Sequence, residues 1–272
     1  PLARINNGTI TGGVFNSTVS GSGTITGGTF NTPMTGSGTK NDPYQIGTAD
    51  QLKRFRDIVN GSNGQTQNRG ACAVLTNDVV LNDGTFDANG YYTPTTGLIG
   101  TNPEEWTPIG KSEKTFQGTF DGQEHTISNL KTGSSWESDV GLFGVTTNGE
   151  IKNFTLQNAD VTGYLDVGAI AGTPYTSKYT NIILCGKITV NGCAYVGGAF
   201  GKNAYANLTN ITINADEGSY VKADSENWRT YVGGLVGFMG EGDHVVKNVT
   251  SNIDVIGSTC DVGGITGISH YG

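Results

Sequence analysis

The feature that most constrains this chain is a short glycine-rich motif that returns five times, as VGLFG from Val140, VGAIAG from Val167, VGGAFG from Val196, VGGLVG from Val232 and VGGITG from Val262. Successive motif valines stand 27, 29, 36 and 30 residues apart, the scale of one supersecondary unit per repeat. After each of the first four motifs comes an apolar strand pattern containing an asparagine (IKNFTL, YTNIIL, LTNITI, VKNVTS), and a third short strand such as ITV at 188–190 follows. A single unit of this kind cannot bury its apolar side. Coils stacked about 4.8 Å apart pair every strand in parallel with its counterpart and close a continuous core. The expected fold is therefore all-β, a parallel β-solenoid with one motif per turn.

Two sets of residues follow from that frame. Gly141, Gly168, Gly197, Gly233 and Gly263 share one motif position, where a side chain would block a tight turn or the approach of the next coil. Asn153, Asn181, Asn210 and Asn248 also recur once per coil. Stacked side-chain amides, each bonded to the next, are their expected role. The composition agrees, with 43 glycines and only 15% charged residues, which describes a chain dense in corners.

The N-terminal part has its own period. Residues 6–20 align with 21–35 at an offset of fifteen, matching Ile10 with Ile25 and Phe15 with Phe30. We assign 1–38 to a short fifteen-residue-repeat solenoid or stalk and 39–272 to the main β-helix. One helix is expected near 48–60. Thr48 caps it, Gln51 completes a capping box, Leu52, Phe55, Ile58 and Val59 form its apolar face, and Gly61 ends it,. Such a helix can plug the open end of a solenoid core. The last residues follow directly on a motif, so the native protein is expected to continue beyond them.

From the helix through LTNDVVL (75–81), WTPIG (106–110) and FQGTFDGQEHTISNL (116–130) into the five motifs, the chain resembles the GLUG-repeat proteins of bacterial cell surfaces. Related repeats occur in the non-catalytic region of immunoglobulin-A-cleaving metalloproteases. The resemblance implies a right-handed parallel β-helix in a secreted or surface-anchored, adhesin-like protein. It carries no catalytic residue across, because His125, His244 and His270 are the only histidines and none lies in an H-E-x-x-H pattern,.

A net charge of -8 argues against nucleic-acid or anionic-membrane partners, which need a basic surface. No apolar run approaches the ~20 residues of a membrane-spanning helix. Cys72, Cys185, Cys193 and Cys260 show no C-x-x-C spacing and read either as buried thiols or as disulfide partners in one of three pairings. No cofactor is expected, with calcium as the one alternative.

The candidate sites lie in the loops. Trp136 and Trp228 each stand four residues before a motif valine, on one edge of the solenoid and about 14 Å apart at the coil rise. Flat indoles suit sugar rings or a protein partner. Tyr175 and Tyr179 stand in the loop of an intervening coil. Asp139 and Asp166 directly precede two successive motifs and read as turn formers, or as weaker candidates for calcium binding or for a carboxylate pair that cleaves glycosidic bonds. The expected function is a non-catalytic extracellular or cell-surface scaffold binding host proteins or glycans through its loops. The alternatives are a carbohydrate-active β-helix enzyme and a glycan-binding module using the loop aromatics.

Overall fold

The computed structural model describes residues 33–82, 104–223, 230–258 and 260–269, together with short strand pairs within 3–30 and 84–94. The chain is a parallel β-solenoid. Its largest sheet runs through Val246–Ser251, Asn207–Ala215, Lys178–Gly192, Glu150–Thr162, Thr119–Asp121, Ala73–Leu75 and Tyr44–Ile46, each strand beside the one from the neighbouring coil. A second sheet stacks Phe143–Thr147, Ala171–Tyr175, Phe200–Asn203, Val236–Met239 and Thr266–Ser269. The motif strands form a third, from Val167–Gly168 through Tyr195–Gly197 and Tyr231–Gly233 to Asp261–Gly263.

Register follows the repeat. Val140, Val167, Val196, Val232 and Val262 stack one above another. On the long sheet Phe154, Ile182, Ile211 and Val249 form one inward column. Inward residues skip from Ile151 to Phe154 and then to Leu156, because Asn153 adopts left-handed backbone with φ 57° and turns the strand through a corner. Asn181, Asn210 and Asn248 do the same at φ 54–56°. Their side chains form the amide ladder. Asn181 Nδ2 donates to Asn153 Oδ1 (3.0 Å), Asn210 to Asn181 (2.8 Å) and Asn248 to Asn210 (3.0 Å). Asn153 donates in turn to Asp121 Oδ1 at 3.0 Å, so a carboxylate, which can only accept, begins the row. A second, shorter ladder that the repeat alignment did not single out links Asn158 to Asn129 at 3.0 Å, both at left-handed φ.

The motif glycines have a steric cause. An added Cβ on Gly168 would stand 2.6 Å from the backbone of Ala199 and Phe200 in the next coil, and one on Gly201 would stand 2.3 Å from the backbone of Asp166 and Val167. The first motif glycine thus admits the following coil and the last one admits the preceding coil.

The helix spans Ala49–Asn60. The Thr48 side chain accepts from Gln51 N, Gln51 Oε1 accepts from Gly47 N at 2.7 Å, and Gly61 closes the helix at φ 60°. Phe55 is driven into the core end, 6.0 Å from Phe116 and 6.1 Å from Phe120 by ring centroids, and those rings lead on to Phe143 and Phe154. The helix therefore caps the first coils by burying aromatic area that a bare solenoid end would expose to water. In the N-terminal region Thr9–Ile10 pairs in parallel with Thr24–Ile25, and Val14–Phe15 with Thr29–Phe30, at the fifteen-residue offset. No disulfide joins Cys72, Cys185, Cys193 or Cys260. No helix among the described residues is long and apolar enough to cross a membrane.

Candidate functional site

The corner that leads into each motif strand carries the predicted acids. Asp139 and Asp166 both adopt left-handed backbone, at φ 58° and 56°, and the Val140–Val167 bridge sets them on adjacent coils. Both oxygens of Asp139 are engaged, since Thr173 Oγ1 donates to Oδ1 and Ser112 Oγ to Oδ2, each at 2.7 Å. Asp166 has a buried Oδ1 without a hydrogen-bond partner. Burial, reinforced by the Asp139 charge and opposed by Lys202, pushes its carboxyl up to about 7. On the next two coils Tyr195 and Tyr231 replace the acids and stack at 5.7 Å with their planes 4° apart, and Lys202 lies over the Tyr195 ring at 5.6 Å. The pair therefore offers one uncommitted carboxylate, against the six to eight oxygens that a calcium ion collects. Among the described residues no group of three or more metal-ligating side chains occurs.

Beside Asp139 opens a cleft of about 520 Å³. Its walls are the end of the helix (Asn60, Ser62), the 107–114 loop (Thr107, Pro108, Lys111 to Lys114) and the segment from Glu137 to Val140. Asn60 fixes the loop to the helix, donating to Pro108 O at 2.9 Å and accepting from Gly110 N at 2.8 Å. Ser112 ties the same loop to Asp139. Hydroxyls, two lysines and three carboxylates thus line a pocket whose two sides are braced. Trp136, directly before the cleft-lining Glu137, is 85% exposed. Trp106, nearby in sequence, is buried and donates Nε1–H to Leu142 O at 3.0 Å.

A second depression of about 450 Å³ lies at another corner, where the second sheet passes into the long sheet. Lys40, Gln117, Thr119, Asn148, Glu150, Thr176 and Lys178 supply its polar lining. Next to Thr176, Tyr175 meets Tyr205 of the following coil edge to face, with centroids 5.4 Å apart and planes at 87°. Both rings reach solvent, at 43% and 39% exposure.

The predicted residues divide accordingly. Trp136 and Tyr175 stand on the surface, at separate corners. Tyr179 does not, which corrects the expectation of a loop aromatic. It is wholly buried, in register with Ile151 and Leu208, and its hydroxyl shares a hydrogen bond with Thr146 Oγ1 at 2.8 Å. The left-handed corner at Asn181 shifts the alternation, so that Tyr179 and Ile182 both point inward as Ile151 and Phe154 do. Trp228 lies outside the described residues. Tyr205 was missed because KNAYAN carries no loop signature. Its counterpart position in the preceding coil, beside Tyr175, is visible only once the coils are in register.

Comparison with known proteins gives the fold company. No family model matches the chain. Over 164 residues, 60% of its length, the chain is 33% identical to halomucin of Haloquadratum walsbyi, and it spans about 2% of that much longer protein. A solved structure from Bacteroides ovatus, a protein that carries the provisional name immunoglobulin A1 protease, superposes with a TM-score of 0.53 at 20% identity, covering 85% of this chain and 73% of that one. At that identity the likeness is one of fold.

Proposed function

We propose that the chain is a non-catalytic module of an extracellular or cell-surface protein, an adhesin-like scaffold whose corner clefts hold glycans. The observation that carries this reading is Trp136, an indole 85% exposed beside a braced cleft rich in hydroxyl and charged groups. An indole face with polar groups at its edge is the arrangement that holds a sugar ring. The likeness to halomucin, of which the chain spans about 2%, supports a module within a larger polypeptide, and the GLUG-repeat resemblance supports a surface location.

The geometry of the acids favours binding over the carbohydrate-active alternative. Asp139 faces the cleft, but Asp166, with one oxygen sealed from solvent, does not line it, so the two acids do not flank one open site as a cleaving pair must. A glycan array probed with the purified chain tests the proposal. Bound glycans are recovered intact, and Trp136→Ala weakens binding about tenfold, the scale of one lost aromatic contact. Turnover of a bound glycan, or binding indifferent to Trp136→Ala, overturns it.

A further inference from the structure

The Tyr175–Tyr205 corner is built with more care than a covering loop requires. Tyr205 holds left-handed backbone at φ 71°, a conformation that costs a bulky residue free energy and persists only where its surroundings impose it. Two features impose it. Asn203, wholly buried, donates to Ala206 O at 3.1 Å and accepts from Ala206 N at 2.9 Å, bracing the turn from inside. The Tyr205 ring also lies on Gly242, where an added Cβ would stand 2.4 Å from two ring atoms. From the other side the Tyr175 carbonyl accepts from Asn148 N at 3.3 Å, and Thr176 N donates to Ala204 O at 3.1 Å. The two rings are thus fixed edge to face and left in solvent.

The groove beside them is cationic in an acidic protein. Its one carboxylate, Glu150, is ion-paired with Lys152 at 2.9 Å. Lys40 and Lys178 line the groove and have no carboxylate within ion-pair distance among the described residues. Two lysines contributed by distant coils, amide and hydroxyl groups from Gln117, Asn148, Thr119 and Thr176, and a fixed aromatic pair describe a site for a sugar that bears an anionic group. The rings pack on its apolar face and the ammonium groups meet its charge.

We infer that the groove between Lys40 and Lys178, with Tyr175 and Tyr205 at its margin, binds acidic glycans carrying carboxylate or sulfate. This deepens the reading of the module as a glycan binder, but at a different corner of the coil from Trp136, so the two sites fail separately.

The test is calorimetric titration of the folded chain with three probes: a galacturonate oligomer, a sulfated galactose oligomer without uronic acid and a neutral galactose oligomer. Each is measured at low and at raised salt. The acidic oligomers bind at least about tenfold tighter than the neutral one, and their advantage shrinks with salt as partly exposed charges are screened. Binding of the carboxylate oligomer alone, of the sulfate oligomer alone or of both supports the inference and names the source of the charge. Lys40→Gln with Lys178→Gln removes the preference for acidic oligomers, and Tyr175→Ala with Tyr205→Gly weakens all binding at this groove. Glycine at 205 tolerates the left-handed backbone, so that variant keeps the fold, as an unchanged circular dichroism spectrum checks. Equal affinity for neutral and acidic oligomers, no binding of any of the three, or affinities indifferent to both variant pairs overturns the inference. Acidic-glycan binding lost in Trp136→Ala but kept in both groove variants also overturns it while leaving the cleft reading intact. Binding that needs Tyr175 and Tyr205 while no glycan responds to Trp136→Ala overturns the cleft reading alone.

Discussion

Replacing Asp166 with asparagine should make the protein more stable, and only at neutral and alkaline pH. Asp166 lies against the stacked coils with one oxygen sealed and the Asp139 charge alongside, and its carboxyl is raised from 3.8 to about 7. A folded-state pKa above the unfolded value means that the protonated group favours folding fully below about pH 4, and that this contribution is lost as pH rises through about 7. The ceiling on the loss is about 4 kcal/mol at roughly 1.4 kcal/mol per pH unit. Water reaching the partly exposed carboxyl and the opposing Lys202 charge reduce the expected figure to about 2 kcal/mol. Asparagine tolerates φ 56° and mimics the uncharged acid. Thermal denaturation followed by circular dichroism at pH 3.5 and pH 8 reads the effect. The variant should melt with the native protein at the lower pH and on the order of 5 °C above it at the higher. A melting difference that stays constant across that range would refute the reasoning, because it would show that Asp166 ionises normally in the folded protein.

Three further perturbations separate the parts of the scaffold. Gly201→Ala forces a methyl to within 2.3 Å of the Asp166 and Val167 backbone and should cost about 3 kcal/mol in urea unfolding. Gly70→Ala, whose added methyl would meet only the Asn68 side chain at 3.8 Å, should stay within about 0.5 kcal/mol of native. Asn181→Gly should lose about 1 kcal/mol, the worth of its ladder hydrogen bonds, while Asn181→Ala adds left-handed strain and loses about 2 kcal/mol. If the two variants match, the ladder position is not conformationally strained. Phe55→Ala should cost about 4 kcal/mol and speed amide exchange first in the coils beneath the helix. Uniform destabilisation along the chain would show that the helix does not act as a local plug.

The repeat made most of the scaffold readable. Five motif valines and four asparagines at similar intervals give the register and the ladder of the coils that carry them, because stacking converts identical sequence positions into neighbouring positions in space, whereas the coils beginning at Tyr44–Ile46 and Ala73–Leu75 carry no motif and escape that count. Thr48, Gln51 and Gly61 marked both helix ends by capping chemistry that acts within one turn. The binding surfaces were less readable, since they depend on where a corner breaks the alternation and on what the adjacent coil brings. The left-handed Asn181 makes Tyr179 a core ring, where plain alternation back from Ile182 would set it on the surface. Tyr205 acquires meaning only from Tyr175, Asn203 and Gly242, which lie up to a coil or more away along the chain. The braced cleft beside Trp136 joins the helix end to loops some fifty and eighty residues later, and no local pattern announces it. The hydrogen bonds from Ser112 and Thr173 to Asp139 are likewise a matter of three coils meeting at one corner.

The most direct test of the account is a crystal structure of the chain with a glycan selected from the array. The account expects an intact sugar with a ring against the Trp136 indole and its hydroxyls toward the cleft that holds Glu113, Glu137 and Asp139. A glycan found cleaved, or seated against the motif strands with Trp136 untouched, would contradict it.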